Sequence, residues 1–128
     1  MANSIIDDFN NLLLDLVRNI ADICPSSIIG ANVKDIEREL KNDANRNKFI
    51  DIFVAKVLQY KSEIDNGDEN FFLNKTYENE FGSNGMLSRV FEFKSIWTKL
   101  NNTNKALVKQ YMQLLCELAQ NYFIEVYQ

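Results

Sequence analysis

Apolar residues recur along most of this chain at intervals of three and four, the spacing that places them on one face of an α-helix. The first stripe is Ile5, Phe9, Leu12, Leu16, Ile20 and Ile23, widened by Ile6, Leu13 and Val17. It stands opposite a polar face of Asp7, Asp8, Asn11, Asp15, Arg18 and Asp22. Asn3 or Ser4 is the expected N-cap, Asp7 and Asp8 suit the positive end of the helix dipole, and Pro25 stops the helix near Cys24. Leu14 falls on the polar side and is expected there as a single exposed leucine. After a link with Ser26, Ser27 and Gly30, a short amphipathic helix is expected from about Asn32 to Lys41, with Val33, Ile36 and Leu40 inward.

A polar break, Asn42-Asp43-Ala44-Asn45, precedes a third helix with two apolar stripes. Phe49, Phe53, Val57, Tyr60 and Ile64 form one, and Ile50, Val54 and Leu58 the other, the signature of a helix covered on several sides. Asp65-Asn66-Gly67 should end it, because glycine adopts the left-handed conformation that closes helices. Between Asp65 and Gly85 the pattern is irregular, with a one- or two-turn helix expected near Asn70 to Asn74. From about Met86 to Leu100 a fourth helix presents Met86, Val90, Phe93, Trp97 and Leu100. The short Asn101-Asn102 turn then folds a fifth helix back, with Thr103 as its cap. Its stripe is Leu107, Tyr111, Leu114, Leu118 and Tyr122, flanked by Val108, Leu115 and Ala119.

The pattern predicts an all-α fold: a compact bundle of four long helices plus one or two short ones, mainly antiparallel, forming a single domain over residues 1–128. Leu16, Phe53, Val57, Trp97, Leu114 and Leu118 are expected at its centre. Composition agrees, since 46% hydrophobic and 25% charged residues suit one soluble domain, while one proline and four glycines are too few for the repeated tight turns of a sandwich or barrel. No apolar run is long enough to span a bilayer, the richest, Phe49 to Leu58, being broken by Asp51 and Lys56. Cys24 and Cys116 sit in apolar helical stretches without metal-ligand spacing and with no signal peptide before them, so a reducing, cytoplasmic setting is expected. The sequons at Asn74 and Asn101 are accordingly expected to stay unmodified.

Candidate chemistry is sparse. The chain has no histidine, no phosphate loop and no paired-cysteine motif. Adjacent carboxylates such as Asp7 and Asp8, or the near neighbours Glu37 and Glu39, point to different parts of a helix surface and do not converge as an acid and base pair. The acids after Asp65 miss the calcium-loop positions, with glycine third rather than sixth. No catalytic residue, metal site or cofactor is therefore expected, and the chain reads as non-enzymatic.

Charge carries the stronger hint. Residues 86–109 hold Arg89, Lys94, Lys99, Lys105 and Lys109 against the single acid Glu92, a local net of +4 in a chain of net charge −4. This basic hairpin is expected to dock an acidic protein surface, on a partner or on a second copy, unless its lysines form an ordinary solvated face or pair with the acidic 65–80 segment. A nucleic acid is the lesser alternative, since the segment lacks an arginine cluster and the pI is about 4.8. Phe71 and Phe72 offer a second candidate. Either they close over the core, or they form the apolar centre of a partner site rimmed by acids.

Two resemblances bear on these expectations. The string Glu80 to Phe93 resembles the first homology box of the Bcl family of apoptosis regulators, with Asn84-Gly85 followed by Arg89 and aromatics. It departs at Met86-Leu87-Ser88-Arg89, where that family carries tryptophan-glycine-arginine, and the 35 residues after Phe93 are few for the family's remaining helices. An apoptosis-regulator-like role is thus a minor alternative. The segment Ser95 to Phe123 is similar to the C-terminal helical hairpin of small, mostly uncharacterised proteins of nucleocytoplasmic large DNA viruses. These share the order of tryptophan-containing helix, asparagine-lysine turn and tyrosine-leucine-rich helix. That resemblance implies a viral accessory or virion-associated protein, acting in the host cell cytoplasm or carried in the virion.

Overall fold

Hydrogen bonds within helices account for every regular element in a computed structural model of the protein, which describes residues 2–74 and 93–127; no strand occurs among the described residues. The all-α expectation holds. The elements are α1 (Ala2–Ile23), α2 (Ile28–Ala31), α3 (Val33–Lys41), α4 (Lys48–Lys56), α5 (Lys61–Asp65), α6 (Glu69–Asn74), α7 (Lys94–Trp97) and α8 (Asn102–Tyr127), with 3-10 turns at Asp43–Asn45 and Leu58–Tyr60. Met86, Arg89 and Val90 of the expected fourth helix lie outside the described residues, as do Tyr77 and Phe81 of the aromatic segment.

The first helix begins earlier than its capping signals suggest, with Asn3 and Ser4 inside its opening turn. Its end is set as expected by Pro25, and the chain re-enters a helix at once. Ser27 Oγ accepts from the Gly30 amide at 3.0 Å and donates to the Cys24 carbonyl at 2.7 Å, which nucleates the unexpected turn α2. Glycine is required there: a Cβ on Gly30 would lie 2.5 Å from the Cys24 carbonyl oxygen. Packing of α2 and α3 on α1 corrects the expectation for Leu14, which is buried. The extra cover widens the apolar arc of α1 beyond one stripe. Arg18 of α1 pairs with Glu37 of α3, and Lys41 approaches the same carboxylate at 3.1 Å; Lys41 first and Arg18 second hold that carboxyl below its ordinary range.

The third predicted helix is not continuous. In an unbroken helix the Tyr60 amide would donate to the Lys56 carbonyl. Here it donates to Val57 at 2.9 Å, and Gln59 Nε2 takes the Lys56 carbonyl at 3.1 Å. The side chain thus substitutes for a backbone donor, and the helix divides into α4, a 3-10 turn and α5. Gly67 closes α5 as predicted, at φ +63°, with Gly67 N donating to Ile64 O at 3.0 Å and Asp68 N to Glu63 O at 3.1 Å. Those two bonds define a Schellman closure. Asp68 Oδ1 then caps α6 through the Asn70 amide at 2.9 Å.

The last helix is capped by Asn101 and not by Thr103. Asn101 Oδ1 accepts from the Asn104 amide at 2.8 Å, and Thr103 lies within the first turn. Asn101→Ala is expected to cost about 1 kcal/mol of stability, with Asn101→Asp retaining it, as read by urea denaturation. The buried face of α8 is Val108, Met112, Leu115, Cys116, Ala119 and Tyr122. Leu114, placed at the centre from sequence, is 42% exposed, and Leu118 is only half-buried. The helix is rotated from its expected orientation because α1, α4 and α5 meet its other apolar arc. Leu16, Phe53, Val57 and Trp97 are buried as expected, in one contiguous cluster drawn from α1 through α8.

Candidate functional site

Two surfaces merit attention, and the first is the basic hairpin. Trp97, held by the single turn of α7, stacks almost parallel on Phe72 of α6, with ring centroids 4.9 Å apart and planes inclined by 10°. Phe72 also meets Phe93 at 6.1 Å and Phe71 edge-on at 5.2 Å, and Phe71 continues the series to Tyr60 at 5.6 Å. Phe72 is 1% exposed, so the buried alternative is the one it adopts. A ring without a solvent face offers nothing to a partner, which corrects its candidacy as an interface anchor. Phe71 is half-buried against the core.

The lysines divide by position. Lys105 and Lys109, one helical turn apart on α8, bring their ammonium groups to 5.8 and 6.0 Å from the Trp97 ring centroid, a cation–π arrangement. Lys109 also pairs with Glu69 at 3.7 Å, and its alkyl stem lies against the open face of Gly67. These two cations therefore serve partly to close α8 over α6 and α7. Lys94 and Lys99 are exposed, and Arg89 lies outside the described residues. Trp97 Nε1 is buried and finds no hydrogen-bond partner among the described residues.

The second surface, which sequence reasoning missed, is on α8 itself. Three contacts fix this helix along the body: Gln113 Nε2 donates to the Ile64 carbonyl at 3.1 Å, Asn19 Nδ2 donates to Tyr111 Oη at 2.9 Å, and Tyr122 Oη donates to Asp51 Oδ1 at 2.7 Å. Burial first and the Asp51 carboxylate second push the Tyr122 phenol upward from its ordinary pKa. Beyond Tyr122 the helix continues with Phe123, Ile124, Val126 and Tyr127, all exposed, the last at 61%. A signal was present in the sequence. With about 100° between successive residues, these four fall within about 160° of the helix circumference, one continuous apolar arc. Phe123 and Tyr127 meet only each other among the described rings, at 5.1 Å.

No polar or charged residue is buried, and no group of three potential metal ligands forms, among the described residues. Among them, no helix is long and apolar enough to cross a membrane. Both thiols are free, and burial pushes the Cys116 thiol up from 9.0 to about 12. Because the folded state favours the neutral thiol, its contribution to stability is complete below pH 9 and is lost as pH rises towards about 12. Urea midpoints followed across that range are expected to fall, and to fall less in Cys116→Ala. A thiol reagent at neutral pH should label half-exposed Cys24 well before Cys116. Compared with protein families, curated proteins and solved structures, the chain matches none.

Proposed function

We propose that this chain is a non-enzymatic helical protein that acts by docking another protein, with the solvent-facing end of α8 as its principal contact. The observation that carries this reading is the row Phe123, Ile124, Val126 and Tyr127, exposed where the core has already closed at Tyr122. Large apolar side chains gathered on one exposed element are the usual centre of a protein interface, and aromatic ones contribute most of its affinity. The body behind them is a compact, mainly antiparallel bundle forming one domain. Asn19 pairs with Tyr111 while Asp8 and Leu12 lie beside Leu118 and Asn121, so numbering falls along α1 as it rises along α8.

Lys94 and Lys99 supply an exposed basic region before the first turn of α8, at the opposite end of that helix from Phe123, where an acidic surface of the partner would be steered. Nucleic-acid binding draws less support, because Lys105 and Lys109 are engaged with Trp97 and Glu69. A viral accessory or virion role, as the hairpin resemblance implies, is one setting for such docking. Placing the photo-crosslinker benzoylphenylalanine at position 123 or 127, in cells making the protein, is expected to give a discrete adduct. Position 110, occupied by exposed Gln110 on the same helix, should give none. Equal adduct patterns at all three positions, or none at any, would defeat this reading.

A further inference from the structure

A groove of about 350 Å³ runs between α1 and α8, lined by Asp8 and Leu12 on one side and by Leu114, Glu117, Leu118 and Asn121 on the other. Leu12 and Leu118 rest on the core and form its floor, while Leu114 stands at its edge. Among the described residues its charge is of one sign. Asp8 and Glu117 line it, and Asp15 continues the Asp8–Leu12 face of α1 at helical spacing. No lysine or arginine lines it, and none of these three acids makes an ion pair among the described residues. The neighbouring cations are committed elsewhere. Lys61, which feels the field of Glu117, is bound to Asp65, and Arg18 is bound to Glu37.

An apolar floor between two helices, with acids on both lips, suits one kind of occupant. An amphipathic helix laid along the groove would bury leucine-type side chains at three- and four-residue intervals against Leu12, Leu114 and Leu118. Lysine or arginine flanking those anchors would meet Asp8, Asp15 and Glu117. A second copy set groove against groove about a two-fold axis is disfavoured, because it brings Asp8 and Glu117 onto like charges. We propose that the groove between α1 and α8 seats a basic amphipathic helix of a partner protein. This rests on the docking reading above and adds the chemistry of the segment that enters the groove, which is distinct from the acidic surface that meets Lys94 and Lys99.

The probe is a fluorescein-labelled synthetic helix with leucines at i, i+4 and i+7 and lysines beside them, titrated by fluorescence polarisation. Binding is expected to weaken with salt, and a version with glutamates in place of the lysines should bind about tenfold or more weakly. Glu117→Lys should narrow that preference, because Asp8 and Asp15 remain, and Leu114→Asp should abolish binding. Both positions are exposed, and unchanged melting temperatures will show that the variants fold. Amide NMR shifts on adding the lysine peptide should cluster at Leu12, Leu114, Leu118 and Asn121. Equal affinity for the two peptides, shifts centred on Phe123 to Tyr127, or no binding would overturn the proposal. So would a wild-type dimer in light scattering that Leu114→Asp converts to monomer. Should the groove fail while crosslinks at position 123 persist, the partner's chemistry is wrong and the docking reading stands; loss of both removes both.

Discussion

Truncating Phe53 to alanine is expected to lower the stability of this protein by about 3–5 kcal/mol, the range for deleting a large buried ring. Phe53 is fully buried on α4, and Phe9 of α1 meets its ring edge-on at 5.3 Å. Removing it forfeits the transfer energy of the ring, opens a cavity where α1 and α8 both pack on α4, and breaks an aromatic pair worth about 0.5–1.5 kcal/mol beyond its area. Against a typical total of about 5–15 kcal/mol for a domain, little would remain. A urea titration followed by circular dichroism should show a large fall in the midpoint at constant slope, with Phe53→Leu losing much less. An unchanged midpoint for the alanine variant would mean that α4 does not pack between α1 and α8.

A comparable loss, again about 3–5 kcal/mol, is expected for Phe72→Ala. This ring lies within the series joining Tyr60, Phe71, Phe72 and Trp97, stacked on Trp97 and perpendicular to Phe71. Without it the indole loses its stacking partner, so the emission of the single tryptophan should shift red in the native state as well as on unfolding. Two measurements separate this from a binding role. If Phe72 anchored a partner, the variant would keep its melting temperature and tryptophan emission and lose only its complex. Retention of stability, emission and native mass together would show that the ring contributes to neither the core nor an interface.

Local chemistry made several elements legible before any packing was known. Pro25 stops α1 because the residue before a proline is pushed out of helical geometry, and Gly67 closes α5 because its positive φ suits a residue without a Cβ. Phe53, Val57 and Trp97 read as core because they recur at helical spacing among other apolar residues, and they are core. The pairing of basic hairpin with acidic segment was also legible in outline, as one of the alternatives the charges allowed, and appears as Lys109 with Glu69. What stayed hidden depends on neighbours that periodicity does not encode. The helix α8 carries apolar residues on two adjacent arcs, one through Leu107, Tyr111, Leu114 and Leu118, the other through Val108, Met112, Leu115 and Ala119. Spacing alone fits both.

Only the positions of α1, α4 and α5 decide which arc is dry, and that choice leaves Leu114 at the lip of a groove instead of in the core. The break at Val57 has the same character. Every residue from Phe49 to Ile64 suits a continuous helix, and the capture of the Lys56 carbonyl by Gln59 is one hydrogen bond among competing ones of similar strength. The sequence by itself determined that the chain is helical and which residues share a face, because those properties follow from bonds and spacings within a few residues. The tertiary structure alone decided which face is buried, where a helix yields to a turn, and that the apolar end of α8 outlasts its cover. Burial is a property of the surfaces that meet, and each helix carries only its own.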